Sequence, residues 1–192
     1  MSRENKSLFI ALTSILGAMA FILSLVKPAH IPFPILPFLK FDPSEIPSIL
    51  ALYTLGLSAA VTVATIHFLG LAITGAVVGG FMKYLAVIST IVGLFIANKI
   101  SREMKEVHLT LAALTRVAVM SIANYIIVTL LFPEYLIFSE KYLKNVSITG
   151  NVLLDMLIYV AIFNIIHVFY SVIPSIIIIK YIEKYIKKEF EY

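Results

Sequence analysis

Apolar residues run along this chain in long unbroken blocks and do not alternate with polar ones. The blocks cover residues 8–26, 43–55, 59–73, 81–100, 109–132 and 150–185, each rich in Leu, Ile, Ala and Val. A membrane-spanning strand would show about 10 alternating residues, so continuous blocks read as helices. Most approach the ~20 residues that cross a bilayer with every backbone hydrogen bond kept inside the segment. The second and third are short, which implies tilt or shielding by neighbouring helices. The expectation is an all-α integral membrane protein of six transmembrane helices, forming one transmembrane domain over residues 1–192.

The interruptions carry most of the local information. The first block ends at Lys27-Pro28 and is followed by His30 to Phe41, where Pro32, Pro34 and Pro37 forbid a regular helix. This loop is apolar and aromatic, so it is expected to pack back on the bundle as a cover or wall. Asp42-Pro43-Ser44-Glu45 reads as a helix start, with Asp42 as cap, Pro43 in the first position and Glu45 completing a capping box. Thr74 to Gly80 reads as a glycine-rich break, residues 98–108 as a charged connector and Glu134 to Thr149 as an outer loop. The last helix, about 35 residues and roughly 50 Å long, outlasts the bilayer. Pro174 is expected to kink it. The first block follows Arg3 and Lys6 as a secretion signal would. It is long for a signal's apolar region and has no small-residue cleavage site before Lys27, so it reads as the first span.

Composition supports this reading, since 60% of the 192 residues are hydrophobic and 14% are charged. Soluble domains average roughly 45–50% and about 25%. With six spans, both termini share one side. That side collects Arg3, Lys6, Lys99, Arg102, Lys105, Lys180, Lys184, Lys187 and Lys188, against Lys27, Lys40, Lys141 and Lys144 opposite. The asymmetry places both termini in the cytoplasm of a multi-pass cell-membrane protein. It also accounts for the net charge of +4 without nucleic acid. There is no cysteine, so thiol chemistry is excluded. No HExxH, Walker A, GxSxG or carboxylate cluster with metal spacing occurs. The chain reads as neither an enzyme nor a motor, with no cofactor or metal, and active transport would need energy from a partner.

Polar groups within apolar helices are costly and face a partner or a cavity. They are His67, Lys83, Arg116, Asn124, Asp155, Asn164 and His167. Asn164 and His167, three apart, share a helix face with Val160 and Ser171, and Arg116, Met120 and Asn124 follow at intervals of four. Two amides and an imidazole suit a heterocycle, because amides both donate and accept and aromatic rings stack. The same residues serve equally well as interhelical hydrogen-bonding glue. Arg116, two turns from the inner start of its span, is expected to pair with a carboxylate or reach the interface. Asp155 lies about 180° around its helix from Asn164 and is a weaker site candidate. Ala11, Ser14 and Ala18, with Gly17 beside them, form a small-residue face that lets another helix approach closely, within the chain or from a partner.

The stretch Phe38-Leu39-Lys40-Phe41-Asp42-Pro43-Ser44-Glu45-Ile46-Pro47-Ser48 resembles the substrate-binding S component of energy-coupling-factor (ECF) vitamin transporters. The riboflavin-specific type, with its "fLk(y/f)DfSDiP" loop, is the most similar. Arg116 through Asn124-Tyr125 and Phe163-Asn164 followed by His167 are similar to that type's fifth and sixth helices. The sequence departs from the pattern at His167, where the family has lysine, at His67-Phe68, where it has lysine-asparagine, and at Glu45, where it has aspartate. The resemblance implies an ECF S-component fold that captures riboflavin as transported ligand outside the cell. Asn124, Asn164 and His167 would bond the ring edge, and Leu39 and Lys40 would add backbone and wall contacts. Ala11, Ser14 and Ala18 would face a transmembrane coupling subunit that works with two ATPase subunits. Two alternatives stay open: an S component for thiamin, pantothenate or another small heterocycle, and a structural subunit of a membrane complex.

Overall fold

The computed structural model describes residues 3–101 and 104–190, so Arg102 and Glu103 of the charged connector lie outside the described residues. Among the described residues seven α-helices follow in order: α1 (Arg3–Leu25), α2 (Ile46–Thr54), α3 (Leu57–Ile73), α4 (Val77–Ile100), α5 (Lys105–Ile126), α6 (Glu134–Leu143) and α7 (Val152–Phe190). Among the described residues, four segments are long and apolar enough to cross a membrane: Lys6–Leu25, Val77–Ile100, Lys105–Leu131 and Val152–Lys184. The expected second and third spans are shorter elements. α3 has 17 residues, and α2 has nine after a 3-10 turn at Pro43–Glu45. Both pack inside the bundle, where Ile49, Leu52, Val63, Ala64, Val87, Ile91, Leu94, Val168 and Val172 form one buried cluster.

Where the elements depart from expectation, a local cause is visible. The glycine-rich break is confined to residues 74–76, with Gly75 at φ +89°, and Gly79 and Gly80 join α4. α5 runs on through one π-helical turn, Ile127–Leu131, where the Phe132 N–H reaches back to the Ile127 carbonyl at 2.7 Å. Most of the expected outer loop is helix α6, which buries Ser139 and Leu143. α7 continues helically through Pro174.

Close backbone approach ties the bundle together at glycines. A Cβ on Gly17 would sit 2.8 Å from Ile66, one on Gly70 2.6 Å from the Phe21 ring, and one on Gly93 2.6 Å from the Leu111 carbonyl oxygen. α1 therefore turns Thr13, Gly17 and Ala20 inward, and Ala11, Ser14 and Ala18 are exposed. The proline-rich segment between α1 and α2 is a small lid. Two-residue strands β1 (Ile31–Pro32) and β2 (Lys40–Phe41) pair antiparallel, with Ile31 opposite Phe41 and Pro32 opposite Lys40. Phe33, Leu36 and Phe41 point into the protein, as expected of a cover, and Ile31, Pro32 and Pro34 stay exposed. Phe33, Leu36 and Phe41 join Val128, Leu143, Met156 and Phe163 in a second buried cluster.

Candidate functional site

The short turn at residues 42–45 places two carboxylates within the bundle. Asp42 caps it as expected, accepting from the Ser44 N–H at 2.9 Å and from the Ser44 hydroxyl, and it also pairs with the Lys83 ammonium from α4. Burial alone would raise the Asp42 carboxyl, but Lys83 and the two Ser44 hydrogen bonds hold it well below the usual carboxylate range. Glu45 does not complete a capping box. Its side chain turns inward, where Arg116 donates from Nη1 to Oε2 at 2.6 Å and from Nη2 to Oε1 at 2.9 Å. A bidentate guanidinium contact stabilises a buried carboxylate far more than one backbone N–H at an exposed cap.

Arg116 is 1% exposed and extends this network across three helices. Its Nη1 donates to Thr90 Oγ1 on α4 at 3.1 Å, and its Nε donates to Asn164 Oδ1 on α7 at 2.8 Å. Asn164 Nδ2 donates to the Val160 carbonyl at 2.8 Å, and Asn124 Nδ2 to the Met120 carbonyl at 2.8 Å. His167 Nε2 lies 3.3 Å from Glu45 Oε1, and its ring packs against Phe41, Phe163 and Tyr170 at centroid separations of 5.5, 5.3 and 6.0 Å.

Beside this network lies a cavity of about 410 Å³. Asn124, Asn164, His167, Leu39 and Lys40, the five residues singled out for ligand contact, all line it. Glu45, Arg116 and Lys83 add charge to its wall, and Phe38, Met120, Met156, Val160 and Phe163 add apolar surface. The volume and the mixture suit one small heterocycle, since ligand pockets commonly run to ~300–1,000 Å³ and pair apolar walls with a few placed polar groups. Tyr135 of α6 also reaches the cavity, and Phe138 packs on the lid ring Phe38 at 6.0 Å. Reading 134–149 as a loop missed this wall. The signal was the run Tyr135, Phe138 and Tyr142, aromatic at intervals of three and four.

The remaining polar candidates stand apart from the cavity. Asp155 accepts from the backbone N–H groups of Ile148 and Thr149 at 3.2 and 2.8 Å, tying the 147–149 turn to the start of α7. His67 is buried on α3 and does not line the cavity. Among the described residues no group of three or more His, Cys, Asp or Glu has metal-holding geometry.

Known proteins resemble this chain in sequence and in fold. The family model described as "ECF transporter, substrate-specific component" matches residues 8–180. The riboflavin transporter RibU of Staphylococcus aureus (strain TCH60) is 35% identical over 138 residues, which is 69% of this chain and 69% of that protein. A solved structure, described as the S component of a bacterial ECF transporter, superposes with a TM-score of 0.73 at 27% identity, covering 96% of this chain and 99% of the other. The chain thus belongs to the substrate-specific S components of ECF transporters, a membrane family that binds the substrate for the transporter.

Proposed function

We propose that the chain captures riboflavin, or a closely related flavin, from outside the cell for uptake powered by ATPase partners. One observation carries the reading: a cavity of about 410 Å³ in which Asn124 and Asn164 supply amides beside the Phe163 and His167 rings, under a lid of Phe38, Leu39 and Lys40. A flavin needs this combination, because its tricycle is flat and apolar on both faces and its pyrimidine edge carries hydrogen-bonding groups. The similarity to a riboflavin transporter supports the same ligand.

In this reading the chain crosses the bilayer six times. α2 and α3 are the short crossings, and both termini are cytoplasmic in keeping with the Lys and Arg distribution. The lid and α6 then face outside. The exposed face of Ala11, Ser14 and Ala18 docks a coupling subunit, since the inner face of α1 is already filled by contacts at Gly17 and Ala20. The chain itself contributes binding and no energy source.

The test is riboflavin titration of protein purified in detergent, read by quenching of flavin fluorescence. Saturable one-to-one binding is expected. Asn124→Ala, Asn164→Ala and His167→Ala should each weaken it by about 5- to 150-fold, the effect of losing one buried hydrogen bond worth ~1–3 kcal/mol. Unchanged affinity in all three folded variants would return these residues to the role of helix glue. Failure to bind riboflavin, together with another vitamin co-purifying, would reassign the ligand.

A further inference from the structure

The amide of Asn164 cannot turn over, and the reason lies outside the residue. Its Oδ1 receives Arg116 Nε–H at 2.8 Å and its Nδ2 donates to the Val160 carbonyl at 2.8 Å. A flipped amide would set an N–H donor against the Arg116 donor and an oxygen against the Val160 oxygen, losing both bonds. The guanidinium is in turn immobile. Four of its five N–H groups are engaged by Asn164, Thr90 and the two oxygens of Glu45, and the residue is 1% exposed.

Both amides of the floor are anchored. Asn164 keeps one N–H, with its carbonyl end held by a cation. Asn124 is anchored through one N–H to the Met120 carbonyl and keeps its own carbonyl and one N–H. Asn164 thus meets a ligand as a donor, while Asn124, Lys83, the fifth N–H of Arg116 and the His167 ring nitrogens also belong to residues that line the cavity. The complement of the fixed Asn164 N–H is a hydrogen-bond acceptor on the ligand, such as a ring carbonyl.

We propose that Arg116, held by Glu45, is a positioning residue that fixes Asn164 as a hydrogen-bond donor and thereby makes the cavity select heterocycles that present a ring carbonyl to it. This rests on the flavin reading above and names the chemical feature by which the ligand is chosen. Selectivity arises because a ring amino group in place of a carbonyl meets another donor at Asn164, with no freedom for the amide to rotate and accept it.

The experiment compares riboflavin with its analogues carrying an amino group in place of the C2 or the C4 carbonyl. Wild type should prefer riboflavin over at least one analogue by about 5- to 150-fold, the effect of one unsatisfied buried donor pair. Arg116→Lys keeps the charge opposite Glu45 but has no Nε donor for Asn164, so the amide can rotate and the preference should collapse toward unity. Asn164→Asp keeps an acceptor for Arg116 and removes the donor, so it should bind the amino analogue better than riboflavin. That inversion is not produced by a loss of packing, and it tests the amide orientation even where Arg116→Lys does not fold. A riboflavin preference retained within about twofold in folded Arg116→Lys, or wild-type riboflavin affinity in Asn164→Asp, would overturn the proposal while leaving the flavin reading intact. Wild-type protein that binds no riboflavin would overturn both.

Discussion

Removing the Glu45 carboxylate is the most informative single perturbation of this fold. Glu45 and Arg116 are each 1% exposed, and the carboxylate supplies both of the guanidinium's charged acceptors, at 2.6 and 2.9 Å. In Glu45→Leu the cation would keep only neutral oxygens, Thr90 Oγ1 at 3.1 Å and Asn164 Oδ1 at 2.8 Å. Stranding one member of a buried ion pair costs about 3–5 kcal/mol, a large part of the ~5–15 kcal/mol that holds a domain folded. Replacing both partners is a different matter. Glu45→Leu with Arg116→Met removes two desolvation penalties together with their attraction, so it should return to within about 1 kcal/mol of wild type or exceed it. The assay is equilibrium unfolding by SDS titration in mixed micelles, followed by circular dichroism, on the two single variants and the double. A loss below about 1 kcal/mol in either single variant is incompatible with a desolvated pair. So is a double variant whose loss equals the sum of the singles, since coupled residues must show a large interaction energy.

Three further outcomes follow from the same residues. Cysteine placed at position 2 and at Lys144 should label from opposite faces of intact cells, with position 2 protected from a membrane-impermeant reagent; labelling of position 2 from outside would reverse the topology. Ala18→Trp should leave riboflavin titration of the isolated protein within about twofold while preventing co-purification with a coupling subunit, because Ala18 is exposed. A lost titration with retained co-purification would place that face inside the fold. Asp42 has a folded-state pKa depressed by Lys83 and Ser44, so its contribution to stability is complete above its unfolded value of 3.8 and is lost as pH falls below that value. Unfolding followed from pH 7 to pH 3 should show this acid loss in wild type and a smaller one in Asp42→Asn, and identical acid slopes would remove the Lys83 pairing from the account.

The parts of this molecule legible in its sequence are those set by local rules, and the parts that were not depend on contacts far apart in the chain. Four of the apolar blocks became long helices within a few residues of their expected ends, because a continuous apolar run of that length has few alternatives in a bilayer. The lid was readable from its prolines and aromatics, and the Asp42 cap from its position before Pro43. Glu45 was not. Its spacing from Asp42 fits a capping box, yet its strongest partner lies 71 residues away on α5, and no local pattern announces a carboxylate drawn inward by Arg116. That Arg116 needs a carboxylate could be argued from burial, but which carboxylate could not. α6 was hidden for the opposite reason. Its charged residues Glu134, Glu140 and Lys141 mask a helix that buries only Ser139 and Leu143, too weak an apolar stripe to stand out beside membrane-spanning blocks. The amide stripe of Asn124 and the Asn164–His167 pair were visible as helical periodicities. Their convergence on one cavity depends on α5 packing against α7, which the Arg116–Asn164 bond spans across 48 residues. The site was thus readable as a set of residue types on two helix faces. The orientation of the Asn164 amide follows only from an ion pair that joins the lid's end to the fifth and last helices.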